Sequence, residues 1–181
     1  MRRGQFVAAV TGAMLLAVLG ACGGSDSKVG IGGSHAKQSW SASPAAGAPG
    51  KQTIRYHGEA FDVPADWPVY DLASDPTRCV RFDVHAVYLG HPGADQNCPA
   101  RLVGKTESVL VEPLDAASKG RAAVATAART INGQDVSVDP SATPPSHDIV
   151  AAFRGAAVVA TITFGADEPS AQAILDSFVP Q

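Results

Sequence analysis

The residues best able to do chemistry fall in one short stretch: Asp83, His85, His91 and Asp95 all lie between Cys79 and Cys98. Two imidazoles and two carboxylates can ligate Zn²⁺ or run general acid–base chemistry near neutral pH. Asp83 and His85 are two apart, so on a strand they would share one face, and Gly90 offers a turn that could fold His91 and Asp95 back towards them. The competing reading is a solvated strand face and loop, where such residues are common. The loose spacing matches no zinc signature, so the solvated reading is preferred and no metal or other cofactor is expected. Were the four to converge, they would suit a metal-dependent or acid–base hydrolytic accessory.

Other signals carry less. Gly50-Lys51 suggests a phosphate-binding loop, but Ala45 stands where its first glycine belongs and Gln52 follows the lysine. There is no G-x-S-x-G elbow, H-E-x-x-H pair or N-x-S/T sequon. Arg78, Arg81 and Arg101 could form an anion site, though dispersed arginines more often pair with nearby carboxylates. Trp67, Tyr70 and Tyr56 could stack on a sugar, with core packing as the preferred role.

The elements that must position these groups read as short strands and one clear helix, an α+β fold with an antiparallel sheet covered by a C-terminal helix. Thr53–Tyr56 and Ala60–Val63 flank a turn at His57-Gly58-Glu59. Cys79–Leu89 alternates, with Val80, Phe82, Val84, Ala86 and Tyr88 opposite Arg81, Asp83 and His85, and so reads as a half-buried strand, or two with a bend. Glu107–Glu112 is another β-rich run. Asn132-Gly133 marks a tight hairpin, and Ile149–Phe153 pairs with Ala156–Phe164 across Arg154-Gly155. Near the end, Asp167, Glu168 and Pro169 suit a helix start, and Ala171, Ile174, Leu175 and Phe178 form one apolar stripe. The Ala-rich stretch 116–128 is a second helix candidate weakened by Gly120.

The N-terminus is different in kind. A cationic start, Met1-Arg2-Arg3-Gly4-Gln5, precedes the apolar run Phe6–Leu19, which is too short for a bilayer span of roughly 20 residues but suits a signal-peptide core. Leu19-Gly20-Ala21-Cys22 then resembles the lipobox of bacterial lipoproteins. That resemblance implies a signal peptide over 1–21, diacylglyceryl and acyl modification of Cys22, and a protein held in the cell membrane on its extracytoplasmic face. Arg2-Arg3 hints at twin-arginine export, but Gln5 occupies a position that usually carries an apolar residue, which favours the general secretory route. Residues 22–52, rich in Gly, Ser, Ala and Pro, read as a tether too poor in apolar surface to fold. With Cys22 lipidated, Cys79 and Cys98 remain as an even pair in an exported domain and read as a disulfide.

Residues 53–181 form the single expected domain. Nine Lys/Arg against sixteen Asp/Glu leave it strongly acidic, which argues against a nucleic-acid partner. The run Phe61-Asp62-Val63-Pro64-Ala65-Asp66-Trp67-Pro68, a meander and a closing helix resemble exported bacterial domains of the PsbP/Mog1-like α/β sandwich type. Trp67–Leu72, Cys79–Asp83 and His85–Gly90 are similar to a group of uncharacterised actinobacterial exported proteins, some of which continue into a glycoside-hydrolase-like domain; here the chain ends at Gln181. The resemblance implies a fold and a compartment and carries over no site residues. The resulting expectation is an extracytoplasmic binding or interaction module, joined to the lipid bilayer through acylated Cys22, with an unidentified envelope protein or small ligand as its partner.

Overall fold

The computed structural model describes residues 50–140 and 146–181. The signal segment, Cys22 and the tether up to residue 49 lie outside the described residues. Lys51 and Gln52, expected at the end of the tether, belong instead to the first strand.

Three hairpins form where the turn chemistry demands them. β1 (Lys51–Tyr56) and β2 (Glu59–Pro64) pair antiparallel across His57-Gly58, and β6 (Ala127–Ile131) and β7 (Gln134–Val138) pair across Asn132-Gly133. Both two-residue turns have positive φ throughout, 50° and 83° in the first and 47° and 81° in the second, which matches the twist of the flanking strands. β8 (Asp148–Phe153) returns into β9 (Val158–Thr163) with Phe153 opposite Val158.

Between these hairpins the chain departs from the antiparallel expectation. β3 (Val69–Asp71), β4 (Val87–Leu89) and β5 (Ser108–Pro113) are mutually parallel, and β5 then pairs antiparallel with β9. The result is a seven-stranded sheet in the order β3-β4-β5-β9-β8-β7-β6. A second sheet, β1-β2-β10, is completed by β10 (Val179–Pro180).

The alternating stretch 79–86 is not a strand; only Val87–Leu89 joins the ladder. Local bonds compete with pairing there. Arg81 holds Asp83 in a bidentate pair at 3.0 and 2.8 Å, and the Val80 N–H donates to the Gln96 side chain at 2.8 Å. Parallel neighbours need long connections, and segments 72–86 and 90–107 supply them without a long helix. The Cys79–Cys98 disulfide joins those two segments.

α2 (Glu168–Asp176) closes the fold as expected. Asp167 caps it by accepting from the Ser170 N–H at 3.2 Å, and Ala171, Ile174 and Leu175 are buried. It packs on β2 of the small sheet and on β8 and β9 of the large one. Phe178, just past its end, stacks on Phe61 at 4.5 Å and Phe153 at 4.6 Å, which ties the two sheets together. The central strands are buried on both faces: Ile149, Ala151 and Phe153 face the main core, while Val150 and Ala152 meet a smaller cluster with Ala122 and Ala125. The second helix shrinks to one turn, α1 (Lys119–Ala122), and Ala127 is already in β6. Small side chains cannot hold a longer helix on the sheet by burial. Among the described residues no helix is long and apolar enough to cross a membrane.

Candidate functional site

Parallel pairing in register creates the site. Val69, Val87 and Val109 are aligned across β3, β4 and β5. Two residues before each stand Trp67, His85 and Glu107. Side-chain direction repeats every second residue, so these three lie in a row at the sheet's end on the side of Val87 and Val109, which face the main core. The Val87 N–H donates to the Pro68 carbonyl and the Val109 N–H to the Ala86 carbonyl, each at 2.9 Å, so the alignment extends to the strand starts.

Trp67 is held by its own backbone. Its N–H donates to the Pro64 carbonyl at 3.2 Å, and its carbonyl accepts from the Gln52 amide at 2.6 Å. His85 stacks on the indole with 5.2 Å between ring centres and 19° between planes. The His85 Nδ1 lies 3.0 Å from the Glu107 carbonyl, which accepts, so Nδ1 is the donor of that hydrogen bond. The Glu107 carboxylate is 3.7 Å from Nδ1 and accepts from the Thr106 hydroxyl at 2.9 Å and the Gly165 N–H at 3.3 Å. Burial works to raise the Glu107 pKa, but the hydrogen bonds and His85 outweigh it and hold the carboxyl below its ordinary range.

This row forms one wall of a cleft of about 420 Å³. The β1–β2 hairpin contributes Lys51, Asp62, Val63 and Pro64, the turn after it Asp66, and α2 contributes Ser170, Ala173 and Ile174. The volume lies in the range of small-molecule sites, and the cleft combines an apolar floor with a few polar groups held in place by backbone bonds.

The four residues singled out from sequence go to separate places. Asp83 is engaged by Arg81, which holds its carboxyl below the usual range. His85 lines the cleft with Trp67 and Glu107. His91 sits between the Glu112 carboxylate, 3.3 Å from Nδ1, and that of Asp115, 2.9 Å from Nε2. Asp95 is exposed. Among the described residues, no three His, Cys, Asp or Glu side chains are grouped to hold a metal ion.

The arginines and tyrosines also disperse. Arg78 pairs with Asp75 at 3.2 Å and lies over the Tyr70 ring; Arg81 is taken by Asp83; Arg101 is exposed. A cavity of about 380 Å³ beside the disulfide is lined by Arg78, Arg81, Tyr70 and Tyr88, and each of its guanidinium groups is paired with a carboxylate. Tyr70 stacks on Tyr88 and Tyr56 lies beside His57, so only Trp67 of the three aromatic residues reaches the cleft. Sequence reasoning missed Glu107 as a site residue, having read it only as the start of a strand. The signal that could have found it is the shared offset of Trp67, His85 and Glu107, each two residues before a valine of a β-rich run.

The fold and cleft define a two-sheet α+β domain with a ligand-sized recess at the leading edge of its parallel strands. No known protein family, curated protein or solved structure matches this chain.

Proposed function

We propose that this protein is a bacterial lipoprotein anchored by acylated Cys22 on the extracytoplasmic face of the cell membrane, and that its domain is a binding module using the Trp67–His85 cleft. The anchor rests on the apolar run Phe6–Leu19 and the Leu19-Gly20-Ala21-Cys22 lipobox. The resemblance of residues 53–181 to exported domains and the disulfide support the same compartment. The observation that carries the binding role is the cleft itself, with buried Val63, Trp67 and Ile174 beneath a polar rim.

The test is protein-observed NMR with a fragment library on the chain from residue 22 onward, carrying Cys22→Ser so that no detergent is needed. Hits should move the Trp67 indole signal and vanish in Ala173→Arg, which fills the cleft from an exposed position on α2. Hits indifferent to that substitution, or none that reach Trp67, would remove the cleft as the binding surface.

A further inference from the structure

We infer that the cleft selects a small apolar organic cation, an amine or guanidine carried on an aromatic or aliphatic body. This deepens the binding role proposed above and rests on it. Three carboxylates, Asp62, Asp66 and Glu107, line the cleft against one fixed cation, Lys51. Asp66 is exposed and, among the described residues, makes no side-chain hydrogen bond or ion pair, so its charge is available to a ligand. Asp62 uses one oxygen on the Thr53 hydroxyl at 2.7 Å and has the other to offer. Glu107 adds negative charge on the far wall, beside His85.

Beneath this rim the floor is apolar, with Val63, Trp67 and Ile174 buried. A ligand with a cationic end and an apolar body would meet opposite charge at the mouth while its body displaced water from the floor. An anion would face three carboxylates on a domain that is already acidic. The two arginines by the disulfide are each paired with a carboxylate, Asp75 and Asp83, so that cavity offers an anion little net positive charge.

The occupant is a free small molecule and not a protein segment. A protein interface spreads over apolar surface around its anchor pocket. The large exposed apolar residues among those described, Val69, Leu102, Val103 and Val124, all lie outside the lining of this cleft. Its volume of about 420 Å³ also lies towards the small end of ligand sites.

Three probes sharing a phenylethyl body separate charge from burial: 2-phenylethylamine, 2-phenylethanol and 3-phenylpropanoate, titrated by NMR into the chain from residue 22 onward with Cys22→Ser. At low salt the amine should bind about fivefold more tightly than the alcohol, with the carboxylate weakest, and the advantage should shrink at 0.3 M salt. In the double variant Asp62→Asn with Asp66→Asn, amine and alcohol should converge to within about twofold. An asparagine amide oxygen can keep the Thr53 bond, and a thermal melt checks that the fold is intact. Ala173→Arg should abolish binding of both. Equal binding of amine and alcohol at the Trp67 signal would overturn the charge selection and leave the binding role standing. No probe reaching Trp67 would overturn both. Tighter binding of an acetylated, amidated Leu-Lys-Leu peptide than of the amine would overturn the small-molecule assignment in favour of a partner chain.

Discussion

Removing the disulfide by Cys79→Ala with Cys98→Ala is the most direct test of how the parallel strands are held. The bond spans a sequence separation of 19, and closing a loop of that length removes enough entropy from the unfolded chain to be worth about 3 kcal/mol. Urea unfolding followed by tryptophan fluorescence and circular dichroism should show that loss. On a domain of this size it corresponds to a fall in melting temperature of about 10 °C. The unreduced protein should titrate no free thiol from this pair. Hydrogen exchange then locates the effect. If it lies in the unfolded chain, the slowest amides of β8 and β9 should exchange faster by the same free energy. A large acceleration confined to the amides joining β3, β4 and β5, with β8 and β9 unchanged, would show that the bond holds native loops in place and would refute the entropic account. A total loss below about 1 kcal/mol would refute both.

Phe178→Ala should destabilise by about 3–5 kcal/mol in the same assay and Phe178→Leu by under about 1.5 kcal/mol, because the ring is fully buried between Phe61 and Phe153. A loss below about 1 kcal/mol for alanine would show that these stacked rings do not join the sheets. Burial works against charge on His91, but Asp115 and Glu112 outweigh it and raise its pKa above the ordinary value of 6.5. The imidazolium's contribution to stability is therefore complete below about pH 6.5 and is lost as pH rises through the higher folded value. The stability advantage of wild type over His91→Gln, measured in urea, should accordingly shrink between pH 6 and 9, and growth over that interval would contradict the ion-pair geometry. Cys22→Ala should abolish lipid labelling and leave an uncleaved or released chain; a variant still labelled and still in the detergent phase would rule out the lipoprotein anchor.

The parts legible in the sequence are those in which structure is decided within a few residues. His57-Gly58 and Asn132-Gly133 specify hairpins because only a few residue types adopt positive φ cheaply. Asp167 to Phe178 specifies a capped amphipathic helix for equally local reasons. The cysteine pairing also followed, since setting Cys22 aside for lipidation leaves two of the three cysteines and one choice. The stretch 79–86 misled because Val80, Phe82 and Val84 alternate like a strand. In the fold they are partly buried around Leu72, Ala86, Tyr88 and Leu110, while Arg81 and Gln96 take over the local hydrogen bonding. The grouping of Asp83, His85, His91 and Asp95 misled for a related reason. Proximity in sequence says little about a segment that crosses between parallel strands, and His91 finds its carboxylates at Glu112 and Asp115 instead.

The cleft could not be read because it depends on parallel register, a property of three distant segments together. Val69, Val87 and Val109 must align, and only then do Trp67, His85 and Glu107 fall side by side. A slip of one residue in β4 would turn His85 to the opposite face and bring Ala86 or Val84 into its place. Three pairs between β3 and β4 are a small basis for holding that register. The disulfide links the connection entering β4 to the connection leaving it, and so narrows the registers open to that strand as the chain folds. The Gln52 amide does the same for Trp67 from the hairpin side. The covalent bond and the binding surface are thus coupled through one short strand. A domain whose recess depends on two three-residue parallel strands has a physical reason to carry its disulfide here, in preference to the well-paired β8–β9 hairpin.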